Sequence, residues 1–361
     1  MIPIAEPCLG KEELSNVTEA VKSGWISSKG EFIEKFEENF ARYCGVKYGV
    51  ATSNGTVALH LALKALEVRA SDEIIVPTFA FIAVANAVTY CNAKPVFVDS
   101  HSEYWCIAPD KIEEKITPKT KAIIPVHLYG HPCDMNAVME IAEDHNLSVI
   151  EDAAEAHGAE YKGKKVGSFG DISCFSFYGN KIITTGEGGM CLTNNEELAE
   201  KMRILRDHGM NPNKKYWHDV IGFNYRMTNL QAAVGVAQLE KIDEFIKRKR
   251  ESAKTYNSLL KDVKGIVLPP EMPWAKNVYW MYSILIEDDF YITRDQLMEK
   301  MEENEIETRP LFYPIHIMPP YKSDKEFSVA ERISKRGINL PSAVTLKEED
   351  IKKIVEIIAS I

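Results

Sequence analysis

The chain has 361 residues, of which 45% are hydrophobic, so it can bury a large core and is expected to contain more than one domain. Its formal net charge is −10 and it has no long basic run, which argues against nucleic acid and anionic membrane surfaces as partners. Its seven cysteines are scattered and lack CxxC spacing, which indicates reduced thiols rather than a disulfide framework or a zinc site.

Targeting and membrane signals are also missing from the sequence. The first residues, MIPIAEPCLGKEEL, lack the basic and apolar regions of a signal peptide. No apolar run reaches the roughly 18 residues that cross a bilayer. We therefore expect a cytoplasmic enzyme without a membrane segment or a bound metal.

The opening segment predicts two helices, at about 11–23 and 31–43, joined by a polar loop with one large aromatic residue. That loop contains Trp25, Ser27, Ser28 and Lys29. Loops often carry binding groups, although an ordinary surface loop explains these residues equally well.

The next segment predicts a short strand at 48–51, the turn SNGT and an Ala/Leu-rich helix. Gly55 would let the backbone approach a ligand closely, and free N–H groups at a helix start favour a phosphate. A plain helix cap is the alternative, because Ser and Asn are preferred at that position.

From there, Val/Ile-rich runs alternate with helical stretches, which is typical of a mostly parallel sheet with helices on both faces. Ligands of such sheets bind beyond the carboxyl ends of the strands. The residues expected at that edge are Phe79, Phe81, Asp99, His127 and Asp152, and the runs are 73–77, 95–99, 121–127 and 147–152.

An acid and a lysine follow two of these apolar runs. Asp152 ends one run, whereas Ser176 and Lys181 lie at or after the run 172–177, before a Gly-rich segment. A lysine that forms a Schiff base, together with an acid that binds a pyridinium nitrogen, indicates pyridoxal 5′-phosphate (PLP). The alternatives are that Asp152 is a helix cap, that Lys181 is merely exposed and that His157 is a satisfied polar residue.

The remainder predicts a change of domain. Thr228 could cap a helix that runs to about residue 260, and we expect a large PLP-binding domain at 1–240 and a small α/β domain at 241–361. The small domain is predicted to contain strands at 280–287 and 305–309, and helices at 293–303 and from about 347. The Pro- and aromatic-rich segment 308–321 is typical of a loop that lines a cleft.

Eight motifs, in order, resemble the DegT/DnrJ/EryC1/StrS sugar aminotransferases over nearly the whole chain. They are SNGT, VPTFAFIAVANAV, IPVHLYGHPCDM, EDAAEAHGA, CFSFYGNK, TTGEGGM, GFNYRM and RPLFYPIH. The resemblance implies the PLP-dependent transferase fold type I, which is the aspartate aminotransferase fold. It also implies transamination, because some relatives with histidine at the lysine position perform dehydration instead.

By this resemblance, Lys181 binds PLP covalently and Asp152 keeps its pyridine nitrogen protonated. Gly55 and Thr56 match the phosphate cradle, to which Ser176 also contributes.

Four more positions match residues around the cofactor. Phe81 matches the aromatic residue that stacks on its ring, and His157 lies in the segment beside it. Asn224 matches an asparagine that reaches the phosphate in the neighbouring subunit, which implies a homodimer with shared active sites. Glu155 departs from the glutamine of many members, which leaves its role and charge open.

The implied reaction is ping-pong: L-glutamate aminates the cofactor, and a keto-sugar nucleotide then takes the amino group. Two motifs, GNKIITTGEGGM and IPVHLYGHPCDM, look most like those of the family members that aminate C4 of GDP-4-keto-6-deoxy-D-mannose. By analogy, the amino-sugar product would serve a surface polysaccharide. A UDP- or dTDP-linked keto-sugar, amination at C3 and a catalytically silent relative are the alternatives. The candidate substrate contacts are Trp25, Ser27, Ser28, Lys29, Arg309, Tyr313 and His316.

Overall fold

The computed structural model describes all 361 residues as alternating helices and strands, followed by a smaller α/β region. The helices are α1 (Lys11–Ser23), α2 (Glu31–Cys44), α3 (Gly55–Ala65), α4 (Ala83–Tyr90), α5 (Met135–Asp144), α6 (Glu196–Arg206), α7 (Asn229–Glu240), α8 (Ile242–Leu260), α9 (Arg294–Glu303), α10 (Ser328–Arg336) and α11 (Glu348–Ala359). The strands are β1 (Tyr48–Thr52), β2 (Glu73–Pro77), β3 (Lys94–Val98), β4 (Thr120–Ile123), β5 (Ser148–Asp152), β6 (Glu160–Tyr161), β7 (Lys164–Lys165), β8 (Ile172–Ser176), β9 (Gly189–Thr193), β10 (Ile266–Val267), β11 (Ala275–Lys276), β12 (Tyr282–Ile286), β13 (Arg309–Pro310) and β14 (Gly337–Leu340).

The main sheet has seven strands in the order β1-β9-β8-β5-β4-β2-β3. Only β9 runs antiparallel to its neighbours, so the mostly parallel sheet is confirmed. Because side chains alternate across a strand, β8 contributes side chains to the cores on both faces of the sheet. Phe175 packs in the core that contains α2, whereas Cys174 packs in the core that contains α3. Helices therefore cover both faces, as predicted.

The smaller sheet is antiparallel, in the order β10-β12-β14-β13, and it packs with α8, α9 and α11 around a third core. The single helix predicted after Thr228 is instead two helices, which break at Lys241. Thr228 does cap the first of them, and Gln231 completes a capping box. The domain boundary predicted at residue 240 coincides with this break, and it stays a prediction.

Two predicted strands, at 121–127 and 305–309, are much shorter in the structure. β4 ends at Ile123, just before Pro125, which has no N–H to donate to a neighbouring strand. The strand predicted at 305–309 is reduced to β13, while Ile306 forms an isolated bridge with Ile2. Helix α10 and strand β14 were not predicted at all. No helix has the length and apolar character that crossing a membrane requires.

Candidate active site

The acid and the lysine-bearing loop meet because β5 and β8 are parallel neighbours. Asp152, the last residue of β5, lies opposite Cys174 of β8. Its side chain is buried, and its Oδ1 accepts one hydrogen bond, from the Ala154 N–H at 3.1 Å. Burial raises the pKa of Asp152, while that hydrogen bond and the charges of Lys181 and His127 lower it. The Asp152 carboxylate thus interacts with the charge of Lys181 without forming a direct ion pair with it.

Lys181 lies in a tight turn after β8, where its N–H donates to the Tyr178 carbonyl oxygen at 2.9 Å. Its Nζ lies 3.7 Å from the centroid of the Trp280 ring. Burial lowers the pKa of the Lys181 amine, and the carboxylates of Glu155 and Asp152 raise it. The amine is therefore easier to deprotonate than a lysine in water.

Helix α7 anchors the loop that carries this lysine. The Thr184 N–H donates to Gln238 Oε1 at 3.2 Å, and Gln231 Nε2 donates to the Glu187 carbonyl oxygen at 2.7 Å. These two contacts, about two turns apart on α7, anchor the part of the loop that follows Lys181.

Glu155 has a definite partner in the structure. Its Oε2 accepts the Tyr129 N–H at 2.7 Å, and Tyr129 adopts a positive φ of 52° at that point. Burial raises the pKa of Glu155 to about 7, although Lys181 and the Tyr129 hydrogen bond oppose the rise. The carboxyl group thus holds a strained tyrosine in place and shares the electrostatic environment of the lysine.

An aromatic wall extends from Lys181 to the surface, and we define it as Trp280, Tyr129, Phe312 and Phe81. The Tyr129 ring lies nearly parallel to Trp280 at 6.1 Å and to Phe312 at 5.1 Å. Phe312 then contacts Phe81 at 5.8 Å, and Phe81 is 57% exposed. The Phe312 N–H also donates to the Tyr129 hydroxyl at 2.8 Å, which ties the wall together.

Of this wall, sequence reasoning named only Phe81 as a site residue and missed Tyr129, Phe312 and Trp280. Tyr129 stands inside the motif IPVHLYGHPCDM, so the resemblance of that motif to the family could have indicated Tyr129 as a site residue. Trp280 was assigned to a strand at 280–287, but that strand begins only at Tyr282. Nothing local distinguishes Trp280 from a core aromatic residue.

The turn after β1 forms a helix cap and also leaves two N–H groups without a partner. Asn54 caps α3, because its side chain accepts the Val57 N–H at 3.0 Å. The N–H groups of Gly55 and Thr56 remain at the open end of the helix, where an anion is favoured. A Cβ on Gly55 would lie 2.8 Å from the Ser176 Cβ, so only glycine lets the helix start approach Ser176.

His157 is fully buried, and neither of its ring nitrogens has a hydrogen-bond partner. Its ring is surrounded by those of Phe40, Phe175 and Phe177 at 5.4–6.2 Å. Burial, together with the charge of Lys181, lowers the pKa of His157 to about 3. His157 is thus a neutral imidazole that is not satisfied within the chain.

This set of residues fits PLP. A pyridinium nitrogen matches the buried Asp152 carboxylate, and an aldehyde matches the Lys181 amine. A phosphate matches the N-terminus of α3 beside Ser176. His157, whose pKa is affected by the charge of Lys181, and Asn180, the residue before that lysine, both have buried polar atoms without a partner in the chain.

The segment 308–321 contributes residues of two kinds. Tyr313 is 53% exposed and follows Phe312 of the aromatic wall, whereas Arg309 pairs with Glu307 at 3.0 Å on the surface. His316 is buried, with Nδ1 at 2.7 Å from Thr78 Oγ1 and Nε2 at 3.2 Å from Glu331 Oε1. Its two nitrogens are thus occupied within the chain.

The loop with Trp25, Ser27, Ser28 and Lys29 lies apart from Lys181 in the single chain. Ser28 and Lys29 line a cavity of about 690 Å³ that contains none of the residues around the lysine. Asn229 anchors this loop, since its N–H donates to the Ser27 carbonyl oxygen at 2.6 Å and its Nδ2 to the Trp25 carbonyl oxygen at 2.7 Å. Asn224 is exposed and its side chain makes no hydrogen bond.

Two residues expected at the sheet edge serve the fold instead. Asp99 accepts the N–H groups of Val329 at 3.2 Å and Ala330 at 2.9 Å, so it caps α10 from another part of the chain. His127 is buried and lies 3.1 Å from Glu151 Oε2. Of the polar residues at this edge, only Asp152 faces the lysine.

The chain is similar to known aminotransferases over nearly its whole length. The DegT/DnrJ/EryC1/StrS aminotransferase family matches residues 7–359. The chain is 50% identical to the GDP-perosamine synthase of Escherichia coli O157:H7, covering 98% of this chain and 97% of the relative. It is 49% identical to that of Caulobacter vibrioides, covering 98% and 96%. The crystal structure of S. venezuelae DesV in complex with a ketimine intermediate superposes with a TM-score of 0.91, at 35% identity, and covers 97% of this chain and 94% of DesV.

Proposed function

The chain belongs to the DegT/DnrJ/EryC1/StrS family of aminotransferases, and we propose that it transfers an amino group from L-glutamate to C4 of GDP-4-keto-6-deoxy-D-mannose, which yields GDP-perosamine. The observation that carries this proposal is the identity of 49–50% with two GDP-perosamine synthases over nearly the full length of each chain. PLP is the cofactor, as in the family, and the site described above fits it.

The residues around the cofactor have separate tasks in this proposal. PLP, when bound, supplies an electron sink for the bond changes at the substrate carbon. Lys181 holds the cofactor and, once released from it, carries the proton between the substrate carbon and the cofactor. Asp152 keeps a proton on the pyridine nitrogen, because its buried carboxylate has no other charged partner in contact. The start of α3 and Ser176 hold the phosphate.

The surroundings of Lys181 prepare it for proton transfer. A general base works best when its pKa lies near the working pH. Burial moves the pKa of Lys181 in that direction, while Glu155 and Asp152 limit the change. The aromatic wall covers one side of the lysine, which excludes water from the proton path.

We also propose a homodimer with shared active sites. Asn224 is exposed in the single chain, and the loop before it presents a group of exposed apolar side chains, Tyr216, Trp217, Val220 and Ile221. Several exposed apolar side chains on one loop favour a protein interface there. In the dimer, Asn224 would reach the cofactor phosphate of the partner, as the family resemblance implies.

Mixed dimers test this arrangement. A dimer of one Asn224→Ala chain and one Lys181→Ala chain contains one site with both native residues, so part of the activity should return. Each homodimer alone should be inactive or nearly so. Proven mixed dimers without recovery would show that the sites are not shared.

Cofactor binding and substrate are tested separately. Purified protein with PLP should show a visible band, and borohydride should abolish it and leave the cofactor on Lys181 in a peptide map. Amino transfer from glutamate should then be measured on GDP-, UDP- and dTDP-linked 4-keto-6-deoxy sugars and on 3-keto sugars. Turnover of a UDP or dTDP sugar, with none of the GDP sugar, would overturn the proposed substrate.

A further inference from the structure

The Lys181 amine lies over the ring of Trp280, with Nζ at 3.7 Å from the ring centroid. Two contacts, a hydrogen bond and a ring contact, fix the position of the indole. Its Nε1 donates to the carbonyl oxygen of Asn180, the residue before the lysine, at 2.8 Å. Its ring is buried and lies at 14° to that of Tyr129. The indole therefore cannot turn away from the lysine without losing its hydrogen bond to Asn180.

Three other titratable groups face the amine, and none of them is within ion-pair distance. The charges of Glu155 and Asp152 raise the pKa of Lys181, and the charge of Lys181 lowers the pKa of His157. The carboxylates belong to the end of β5 and the segment after it, whereas Trp280 precedes β12. The amine thus has an aromatic face in contact and two carboxyl groups that act on it through their charges.

We propose that the indole of Trp280 is the surface on which the Lys181 side chain rests whenever it is free of the cofactor, which makes Trp280 a positioning residue for proton transfer. This inference depends on the proposed function, because it needs Lys181 to alternate between a bound and a free state. No role for Trp280 follows from the motifs of the sequence.

The physical basis is the negative face of the indole ring. A cation over that face is attracted to it, and the attraction is larger when both groups are away from water. A lysine side chain has four rotatable bonds, so without such a surface its amine would sample many positions. Holding the amine near the reacting carbon raises the rate by reducing that freedom. The same contact favours the ammonium form and opposes the effect of burial.

The test measures the free lysine rather than turnover. The enzyme loaded with pyridoxamine phosphate leaves Lys181 unbonded, so its titration can be followed by competitive acetylation across pH and peptide mass spectrometry. Trp280→Leu keeps an apolar side chain but removes the aromatic face. Trp280→Phe keeps a weaker face and removes the indole N–H. Lys249, which is buried and bonded only to the Ser342 carbonyl oxygen, serves as an internal reference.

We expect the half-labelling pH of Lys181 to fall by about one unit in Trp280→Leu and by less in Trp280→Phe. The profile of Lys249 should not move in either variant. Titration curves for Lys181 that coincide with wild type in the folded Leu variant would overturn the inference. If Trp280→Leu does not fold, the Trp280→Phe variant replaces it in the test. An unchanged Lys181 titration in that variant would also overturn the inference.

Failure of this inference can be told apart from failure of the proposed function. If borohydride fixes the cofactor on a residue other than Lys181 in wild type, the proposed function falls. If the cofactor is fixed on Lys181 but the variants leave its titration unchanged, only the role of Trp280 falls. A loss of thermal stability alone, without a change in the Lys181 profile, would show a purely structural tryptophan.

Discussion

Replacement of Glu155 by glutamine should make the enzyme more stable at neutral and alkaline pH. Burial raises the pKa of Glu155 to about 7, from an ordinary value of 4.5, so the folded protein keeps this proton over a range in which the unfolded chain has lost it. Glutamine has the shape of the protonated acid, can still accept the Tyr129 N–H and does not titrate. The variant therefore isolates the cost of ionising a buried carboxyl group.

The sign and size follow from proton linkage. Between pH 4.5 and about 7 the folded state binds more protons at this residue than the unfolded state, so the free energy of unfolding falls as pH rises. Each pH unit of that difference is worth about 1.4 kcal/mol, which gives a loss of about 3 kcal/mol for the wild type. Glu155→Gln should thus exceed wild type by about 3 kcal/mol at pH 8 and by less than about 1 kcal/mol at pH 5.

Urea unfolding of the cofactor-free protein at pH 5, 6, 7 and 8 measures this difference directly. The protein concentration must be constant, because subunit association also contributes to stability. Glu140→Gln, on the exposed side of α5, is a matched control that removes a carboxylate from water. Its stability relative to wild type should change little over the same range.

Two results would refute the reasoning. Parallel stability curves for Glu155→Gln and wild type would show that Glu155 ionises normally in the folded state. A variant less stable than wild type at pH 8 would show that Glu155 is ionised there and stabilises the fold through the charge of Lys181. Either outcome would show that Glu155 is not a protonated, neutral acid in the folded protein near neutral pH.

Three further predictions follow from contacts described above. Asp152→Asn should still bind PLP but lose on the order of 100- to 1000-fold in kcat; visible spectra and steady-state turnover check this, and near-normal turnover would contradict the role of Asp152. Gly55→Ala forces a Cβ to 2.8 Å from the Ser176 Cβ and should lower the free energy of unfolding by about 1–3 kcal/mol. It should also weaken PLP binding in a fluorescence titration, and unchanged affinity would argue against a phosphate at this helix start. Asp99→Ala removes the cap of α10 and should cost about 1–2 kcal/mol in urea unfolding, whereas an unchanged midpoint would mean that water replaces the cap.

Local chemistry in the sequence determined much of this architecture. Buried Val/Ile runs specify parallel strands, since both faces of such strands lie against helices. Capping depends on residues only three apart, so Thr228 and its partner Gln231 could be read as a helix start, and the structure confirms that start. The motifs around Asp152 and Lys181 likewise stand in short, continuous segments, which is why the resemblance to the family could be stated from them.

Tertiary contacts decided the rest, because their partners are far apart in the chain. The antiparallel direction of β9 depends on its pairing with both β1 and β8, which no single segment encodes. Asp99 became a cap for α10, which begins more than two hundred residues later. Trp280 lies 99 positions after Lys181 in the chain, and it reaches the lysine through a hydrogen bond to Asn180 that no local pattern indicates. The sequence thus predicted the lysine and its acid, and only the fold placed the indole of Trp280 against the lysine amine.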